Sequence, residues 1–268
     1  MTATRAVRGG RRIRVTFLLS HPDATVVATL VVCGVLFGVF ASGFASVDNV
    51  RSIVISAAVI ACIALGENLV ILAGEIDVSV GSILALAGFA AGPVAVATDN
   101  LWLTLAVGSV LGIPASTLVV LAAFAVITLW RRNTNAGRDL IAVGANRRAA
   151  QTMGVRVRRE LIVAFTLAGT LAGLAAVMYL GEVGGMETSV IGTNTVLQVI
   201  AACAIGGTSI QGGRGTDLAP LTGALLIGVI TSGVVVLGVA GVWFQFVYGA
   251  LILLAVARDR LWQSRKVS

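Results

Sequence analysis

The chain has 268 residues, of which 57% are hydrophobic and 12% are charged, and its mean hydropathy is +0.99. Soluble domains carry about 25% charged residues, so the composition excludes a water-soluble globular protein and predicts an all-α, polytopic helical membrane protein. The net charge of +7 would suggest nucleic acid as the partner of a soluble protein, but here the basic residues flank apolar segments. That pattern indicates orientation in a bilayer and no nucleic acid as partner.

The residue types also limit the chemistry. Because the chain has one histidine, His21, and one lysine, Lys266, it cannot build a lysine-containing phosphate loop, a histidine-rich metal site or a histidine-based catalytic triad. The sequence therefore predicts no metal, no cofactor and no enzymatic activity of the chain itself.

About eight apolar segments predict membrane crossings, at residues 24–44, 53–73, 78–97, 101–130, 161–180, 196–210, 218–239 and 242–257. The segment 101–130 is long and has Pro114 in its middle, so we expect one tilted, Pro-kinked crossing, with two half-spans as the alternative. The segment 196–210 is weak because it contains Gly206 and Gly207, and a broken or re-entrant helix is the alternative to a crossing.

The basic residues predict the orientation. If all eight segments cross and the N-terminus is cytoplasmic, all of the 19 Lys and Arg residues except Arg51 lie on the cytoplasmic side. We therefore expect both termini inside, with a basic N-terminus at 1–23, segments 1 to 4 in 24–130, a cytoplasmic loop at 131–160, segments 5 to 8 in 161–258 and a tail at 259–268. The first segment is longer than the apolar core of a signal peptide, so we expect it to be a membrane segment.

The cytoplasmic loop contains a predicted short helix, which Asn146 caps and Gly154 ends. Ala149, Ala150 and Met153 would share one face, surrounded by polar side chains: Arg147, Arg148 and Gln151. Such a face suits docking into a groove of another protein. The alternative is a surface helix whose arginines meet anionic lipid headgroups.

Three motifs occur in the chain. LAGEIDVSVGSILALAG follows the pattern G-G-I-D-L-S-V-G-S at Gly74, Ile76, Asp77, Ser79, Val80, Gly81 and Ser82. GRDLIAVGANRRAAQTMGVRV follows G-R-x-x-x-A-x-G-x-N-x-x-A-A-x-x-x-G-I/V at Gly137, Arg138, Ala142, Gly144, Asn146, Ala149, Ala150, Gly154 and Val155. AIGGTSIQGGRGT follows I-G-G-x-S-x-x-G-G-x-G at Ile205, Gly206, Gly207, Ser209, Gly212, Gly213 and Gly215.

In this order, the three motifs resemble the permease subunit of bacterial ABC importers of the ribose or monosaccharide class. The resemblance covers about residues 48–97 and 113–258. Glu75 stands where that family usually has glycine, and several tens of residues that members carry before the segment ending at Trp130 are missing at Gly112–Pro114. The sequence therefore indicates a permease with an internal deletion.

The resemblance implies a multi-pass protein of the bacterial plasma (inner) membrane that translocates a ribose-like monosaccharide, driven by ATP hydrolysis on a separate subunit. The implied partners are an ABC ATPase subunit, an extracytoplasmic solute-binding protein, a second permease subunit (as homo- or heterodimer) and membrane lipid. Because of the deletion, the alternative is a transport-incompetent remnant that acts only as a membrane interaction protein.

The resemblance and the side-chain chemistry together give three sets of candidate site residues. The ATPase-coupling loop comprises Gly144, Asn146, Arg147, Ala149, Ala150, Met153 and Gly154. The substrate-path candidates are Glu67, Asn68 and Gln198. The gate or turn motif comprises Gly74, Glu75, Asp77, Ser79, Gly81, Gly206, Gly207, Ser209, Gly212 and Gly213.

Each set has a structural alternative. Glu67 is expected to hold helices together, with hydrogen bonding to a polyol as the competing role. Gln198 would contact an incoming solute or cap a helix. At a cytoplasmic surface, Asp77 and Ser79 are expected to cap the next helix. The turn around Glu75 is then expected to shape a gate, with direct sugar binding by Glu75 and Asp77 as the alternative. The turn beginning at Ser209 is expected to be structural, since it lacks the lysine of a phosphate loop.

Overall fold

The computed structural model describes residues 22–98, 109–110, 113–183 and 193–267. In chain order the first elements are α1 (Pro22–Phe40), α2 (Val47–Leu72), α3 (Val80–Thr98) and an antiparallel pair of two-residue strands, β1 (Ser109–Val110) and β2 (Ile113–Pro114). They are followed by α4 (Ala115–Asn133), α5 (Asn135–Ala145), α6 (Arg147–Thr152), α7 (Val157–Val183), α8 (Thr193–Gly206), α9 (Ala219–Val236) and α10 (Trp243–Val267).

The prediction of an all-α membrane protein is confirmed. Among the described residues, α2, α4, α7 and α9 contain stretches long and apolar enough to cross a membrane. Shorter apolar helices coincide with the remaining predicted segments, in α1, α3, α8 and α10. The number of crossings and the N-in, C-in orientation stay predictions.

Helix α2 forms the centre of the bundle. Ser46 caps it by accepting a hydrogen bond from the backbone N–H of Asn49 at 3.3 Å, and Asp48 lies in the first turn, where the helix dipole favours a carboxylate. The apolar window of α2 is 83% buried, against 17% for α4, and α2 packs against α4, α7, α8 and α9. Every other membrane helix is therefore positioned relative to α2 or to one of its neighbours.

Small residues allow the helices to pack closely. A Cβ on Gly66 of α2 would lie 2.6 Å from the Cα of Ala168 on α7, and a Cβ on Gly223 of α9 would lie 1.8 Å from the carbonyl oxygen of Ala202 on α8. Backbones approach to this distance only where at least one helix presents glycine. On the outside, exposed apolar side chains such as Val35 of α1 offer a surface suited to lipid.

The prediction of one Pro-kinked helix over 101–130 is wrong in the part that the structure describes. Pro114 has φ −55° and ψ 134° and immediately precedes α4, which begins at Ala115. Proline lacks the N–H that a helix interior needs but is tolerated at a helix start. Residues 101–108, like the predicted basic terminus at 1–21, lie outside the described residues.

Three other predicted boundaries differ from the structure. Helix α8 ends at Gly206, because Gly207 has φ +113°, a conformation that an α-helix does not contain. Within the predicted loop 131–160, the chain forms the end of α4, all of α5 and α6, and the start of α7. The predicted tail at 259–268 continues α10 as far as Val267.

Candidate functional site

The coupling loop has the local structure that its sequence predicts. The side chain of Asn146 accepts a hydrogen bond from the backbone N–H of Ala149 at 3.0 Å and caps α6. Gly154 follows with φ +87°, the left-handed conformation that ends helices and that glycine adopts without strain. On the N-terminal side, Thr134 caps α5 by accepting from the N–H of Gly137 at 3.1 Å.

The predicted apolar face of α6 is divided between two environments. Ala150 is buried and packs with Val143 and Val157 in a small core of its own. Ala149 is exposed, and Met153 is 83% exposed. Ala150 thus does not lie on the exposed face with Ala149 and Met153, because it anchors α6 to α5 and α7. Of these three apolar residues, Ala149 and Met153 are available to a partner.

The turn after α2 has the predicted cap. One carboxylate oxygen of Asp77 accepts hydrogen bonds from the backbone N–H of Ser79 at 2.7 Å and from its hydroxyl at 2.6 Å. The helix α3 then begins at Val80, with Gly81 buried in its first turn. Asp77 is buried, and one of its carboxylate oxygens accepts both hydrogen bonds, which supports the structural role over direct sugar binding.

The glycine-rich segment after α8 is a tight turn. The N–H of Ser209 donates to the carbonyl of Arg214 at 2.9 Å, and the N–H of Gly212 donates to the carbonyl of Ser209 at 3.0 Å. Gly212 and Gly213 have φ +84° and +70°. These are the left-handed conformations for which glycine is the default residue, so the repeated glycines are explained by backbone geometry.

The three motifs meet at one end of the bundle, in a contact that we name the glycine junction, formed by Leu72, Gly74, Gly144, Gly212 and Gly213. The N–H of Gly213 donates to the carbonyl of Leu72 at 2.9 Å. A Cβ on Gly144 would lie 1.9 Å from that same carbonyl oxygen, and a Cβ on Gly212 would lie 2.6 Å from the Cα of Gly74. The end of α2, the end of α5 and the glycine turn are therefore in backbone contact.

Two ion-pair groups surround the glycine junction. Arg147 of α6 pairs with Glu75 of the turn after α2. Asp217, which precedes α9, pairs with Arg131 and also accepts from Arg132 at 2.6 Å. Each group starts in the segment 131–160, which we name the coupling segment. One reaches Glu75 within the first motif, and the other reaches Asp217, which directly follows the third motif.

The surroundings of the Asp217 carboxylate favour its ionised form. Burial by itself raises the pKa of this group, but the hydrogen bonds and positive charges of Arg131 and Arg132 outweigh burial and hold the pKa below its ordinary value of 3.8. The pairs thus persist at neutral pH.

The substrate-path candidates Glu67 and Asn68 are buried and hold loops in place. A side-chain oxygen of Glu67 accepts the backbone N–H of Asp77 at 3.1 Å. The side-chain oxygen of Asn68 accepts the hydroxyl of Thr208 at 2.5 Å. Glu67 is 0% exposed and Asn68 4% exposed, so these contacts favour the role of holding helices and turns together.

Gln198 belongs to a different polar group, which includes none of the residues of the glycine junction. Its amide nitrogen donates to the hydroxyl of Tyr248 on α10 at 2.9 Å, and that hydroxyl also bonds Thr231 on α9 at 2.9 Å. Tyr248 is 1% exposed. The structure thus joins α8, α9 and α10 through one buried hydroxyl.

Sequence reasoning missed Tyr248, Thr208 and Asp217. Nothing in the sequence pairs the first two with Gln198 and Asn68, because each partner lies on a distant helix or turn. Asp217 did carry a signal: it is the only acidic residue between Glu187 and Asp259 and follows Arg214 in a predicted cytoplasmic turn. Among the described residues, no group of three or more His, Cys, Asp or Glu side chains could hold a metal ion.

Comparison with known proteins agrees with the motifs. A protein family described as "Branched-chain amino acid transport system / permease component" matches residues 113–256. The chain is 32% identical over 301 residues to the probable ABC transporter permease protein YphD of Escherichia coli, covering 89% of this chain and 90% of the relative. It is 27% identical over 319 residues to the ribose import permease protein RbsC of Escherichia coli, covering 96% and 98%. No solved structure matches the chain.

A shorter alignment relates the chain to the galactose/methyl galactoside import permease protein MglC of Haemophilus influenzae, 34% identical over 153 residues that cover 56% of this chain and 45% of the relative. The 319 positions aligned with RbsC outnumber the 268 residues of this chain. Several tens of positions of that relative thus have no counterpart here, and the family match begins at residue 113, where the sequence predicts the deletion. The chain belongs to the family of ABC transporter permease components that includes the ribose import permeases.

Proposed function

We propose that the chain is the membrane-spanning permease subunit of an ATP-driven importer for a ribose-like monosaccharide. Its relatives are named as ribose and galactose permeases. In this proposal an ABC ATPase subunit hydrolyses ATP, an extracytoplasmic solute-binding protein delivers the sugar, and a second permease subunit, identical or related, completes the pathway. The chain contributes the membrane helices and the segment that receives the movement of the ATPase.

The backbone contacts of the glycine junction support a mechanism in which the ATPase moves the membrane helices. The exposed side chains of Ala149 and Met153 would contact the ATPase, and α6 is held to α5 by the buried Ala150. From the end of α5, Gly144 touches the carbonyl of Leu72 at the end of the central helix α2. Interfaces packed this closely move as units and do not deform gradually, so a displacement of α6 would shift α2 and open the bundle alternately to either side.

The two ion-pair groups would make this coupling stiffer. Arg147 connects α6 to the turn at Glu75, and Asp217 connects the end of α4 to the start of α9. Both pairs run from the coupling segment to a residue that lies just outside a membrane helix. They would transmit rotation of the segment as well as translation.

Among the substrate-path candidates, we retain Gln198 as a residue that a sugar would meet. Its side chain is partly exposed, and its amide suits sugar hydroxyls. Glu67 and Asn68 would act on the pathway through the turns that they hold, as positioning residues.

The test is uptake into liposomes that contain the chain together with a candidate ABC ATPase subunit and a candidate solute-binding protein. Radiolabelled ribose, other pentoses and hexoses are compared with leucine, because the family description names branched-chain amino acids. ATP-dependent uptake of one sugar, with leucine at background, supports the proposal. Uptake of leucine without uptake of any sugar would reassign the substrate class.

A second candidate function is a permease remnant that cannot transport and that acts as a membrane interaction protein. The observation that favours it is the set of positions of RbsC without a counterpart in this chain. The two candidates differ in one result. A remnant would still bind the ATPase through α6 but would give no uptake of any solute with the complete set of partners present.

A further inference from the structure

The first turn of α7 presents a group of exposed arginines. Arg156 immediately precedes α7, and Arg158 and Arg159 lie in its first turn; all three are exposed. Within the part of the chain that the structure describes, none of them forms a side-chain ion pair or hydrogen bond. By contrast, Arg131 and Arg147 in the same segment each bind a carboxylate.

The charges around this turn leave it strongly cationic. Glu160 is turned inward and only 3% exposed, so it does not cover the outward-facing arginines, although its charge interacts with Arg159 and with Asp139. The N-terminus of a helix is itself the positive end of the helix dipole. Cations there are unfavourable unless an anion sits beside them, and a phosphate group is the anion that helix starts and arginines both bind well.

The face of α7 that carries Arg158 continues as an apolar surface. Ile162 and Phe165 follow Arg158 at i+4 and i+7, and they are 56% and 38% exposed. Residues at this spacing lie on one side of a helix. A ligand along this face would thus meet cationic groups at one end and apolar side chains at the other, which is the arrangement of an anionic phospholipid.

We propose that the first turn of α7 binds the headgroup of an anionic phospholipid, with Arg158 and Arg159 on its phosphate and an acyl chain along Ile162 and Phe165. Arg156 adds charge at the rim of this lipid site. An acidic surface of the ATPase subunit is the competing occupant. Such a surface would pair with the arginines. It would not account for the apolar side chains on the same face, which continue into a helix apolar enough to cross the membrane.

The test is native mass spectrometry of the purified full-length chain, titrated with phosphatidylglycerol and, separately, with the neutral lipid phosphatidylcholine. The wild type is expected to retain phosphatidylglycerol preferentially. A basic residue at an anionic membrane surface contributes ~1 kcal/mol, which is about a fivefold change in affinity. Arg158→Gln should therefore weaken phosphatidylglycerol binding by about fivefold, and the double variant R158Q/R159Q by more.

Two variants control for general charge and for misfolding. Arg51→Gln removes the same charge from an exposed residue at the start of α2 and should leave phosphatidylglycerol binding unchanged. The double variant R158K/R159K keeps the charges and should recover most of the binding. Equal losses in R51Q and R158Q, or wild-type binding by R158Q/R159Q, would overturn the proposal.

Two further measurements separate the possible ligands. Phe165→Ala should weaken binding of phosphatidylglycerol, and inorganic phosphate at millimolar concentration should not displace the lipid; complete displacement would show a site for free phosphate. R158Q/R159Q should also still co-purify with the ATPase. Loss of the ATPase with lipid binding intact would assign the arginines to the protein partner and contradict the lipid site.

Discussion

Gly144 lies so close to Leu72 that a Cβ atom on the glycine would be 1.9 Å from the carbonyl oxygen of the leucine. That same oxygen already accepts the N–H of Gly213 at 2.9 Å. One carbonyl at the end of the central helix is thus contacted by both the coupling segment and the glycine turn. Any side chain at position 144 must separate these elements.

Gly144→Ala is therefore expected to destabilise the protein. Overpacking costs ~1–3 kcal/mol, and here the clash is with backbone that cannot rotate away. The melting temperature in detergent should fall by about 2–4 °C for each kcal/mol. Gly173→Ala on α7 is the control, because no atom lies within 4 Å of the added Cβ. Equal melting temperatures for the two variants would contradict the packing of the glycine junction.

Glu67 is expected to stabilise the turn after α2 as a hydrogen-bond acceptor. Glu67→Gln keeps an oxygen for the N–H of Asp77 and should melt close to the wild type. Glu67→Leu fills similar volume but leaves that buried N–H without an acceptor, which costs ~1–3 kcal/mol. If thermal melts of the two variants coincide, Glu67 does not act through this hydrogen bond.

Asp217 is expected to stabilise the protein at neutral pH. Its pKa is lowered in the folded state, so its contribution is complete above the ordinary value of 3.8 and is lost as the pH falls through the lower, folded-state pKa. Asp217→Asn should lower the free energy of unfolding by ~1–2 kcal/mol near pH 7. Most of this loss comes from the pair with Arg131, because solvent screens the exposed Arg132 more strongly. The gap between the melting temperatures of wild type and variant should narrow as the pH falls below 3.8. A gap that does not depend on pH would exclude this ion pair as its cause.

The two kinds of position on α6 should respond differently. Met153→Glu, at an exposed side chain, should abolish co-purification of the ATPase while leaving the melting temperature of the chain unchanged. Ala150→Arg forces a charge into the core with Val143 and Val157 and should lower the melting temperature itself. Normal ATPase binding by M153E would remove α6 from the proposed interface.

Most of the fold followed from composition and spacing. The apolar segments, the cap at Asn146 and the stop at Gly154 are local signals, and the structure confirms them. Pro114 was misplaced because hydropathy alone does not separate an apolar helix from the apolar residues before it. Proline is tolerated at a helix start as well as at a kink, and in the structure Pro114 lies at the start of α4.

The candidate site was predictable only in part. The motifs were visible as three separate stretches, but their contact at Leu72 depends on the three-dimensional course of distant helices. Ala150 could not be distinguished from Ala149 by spacing, since both lie on the same half of a short helix and the positions of Val143 and Val157 decide which one is buried. Glu67 likewise had two possible roles until its partner at Asp77 was known.

The central claim, that a separate ATPase drives sugar transport through the coupling segment of this chain, is tested most directly in reconstituted liposomes. ATP hydrolysis and uptake of labelled ribose are measured together, with the ATPase and the sugar-loaded binding protein present. Both activities are expected to require the chain and to fall to background with Met153→Glu. ATP hydrolysis that is independent of the chain, together with ribose uptake that continues without ATP, would contradict it.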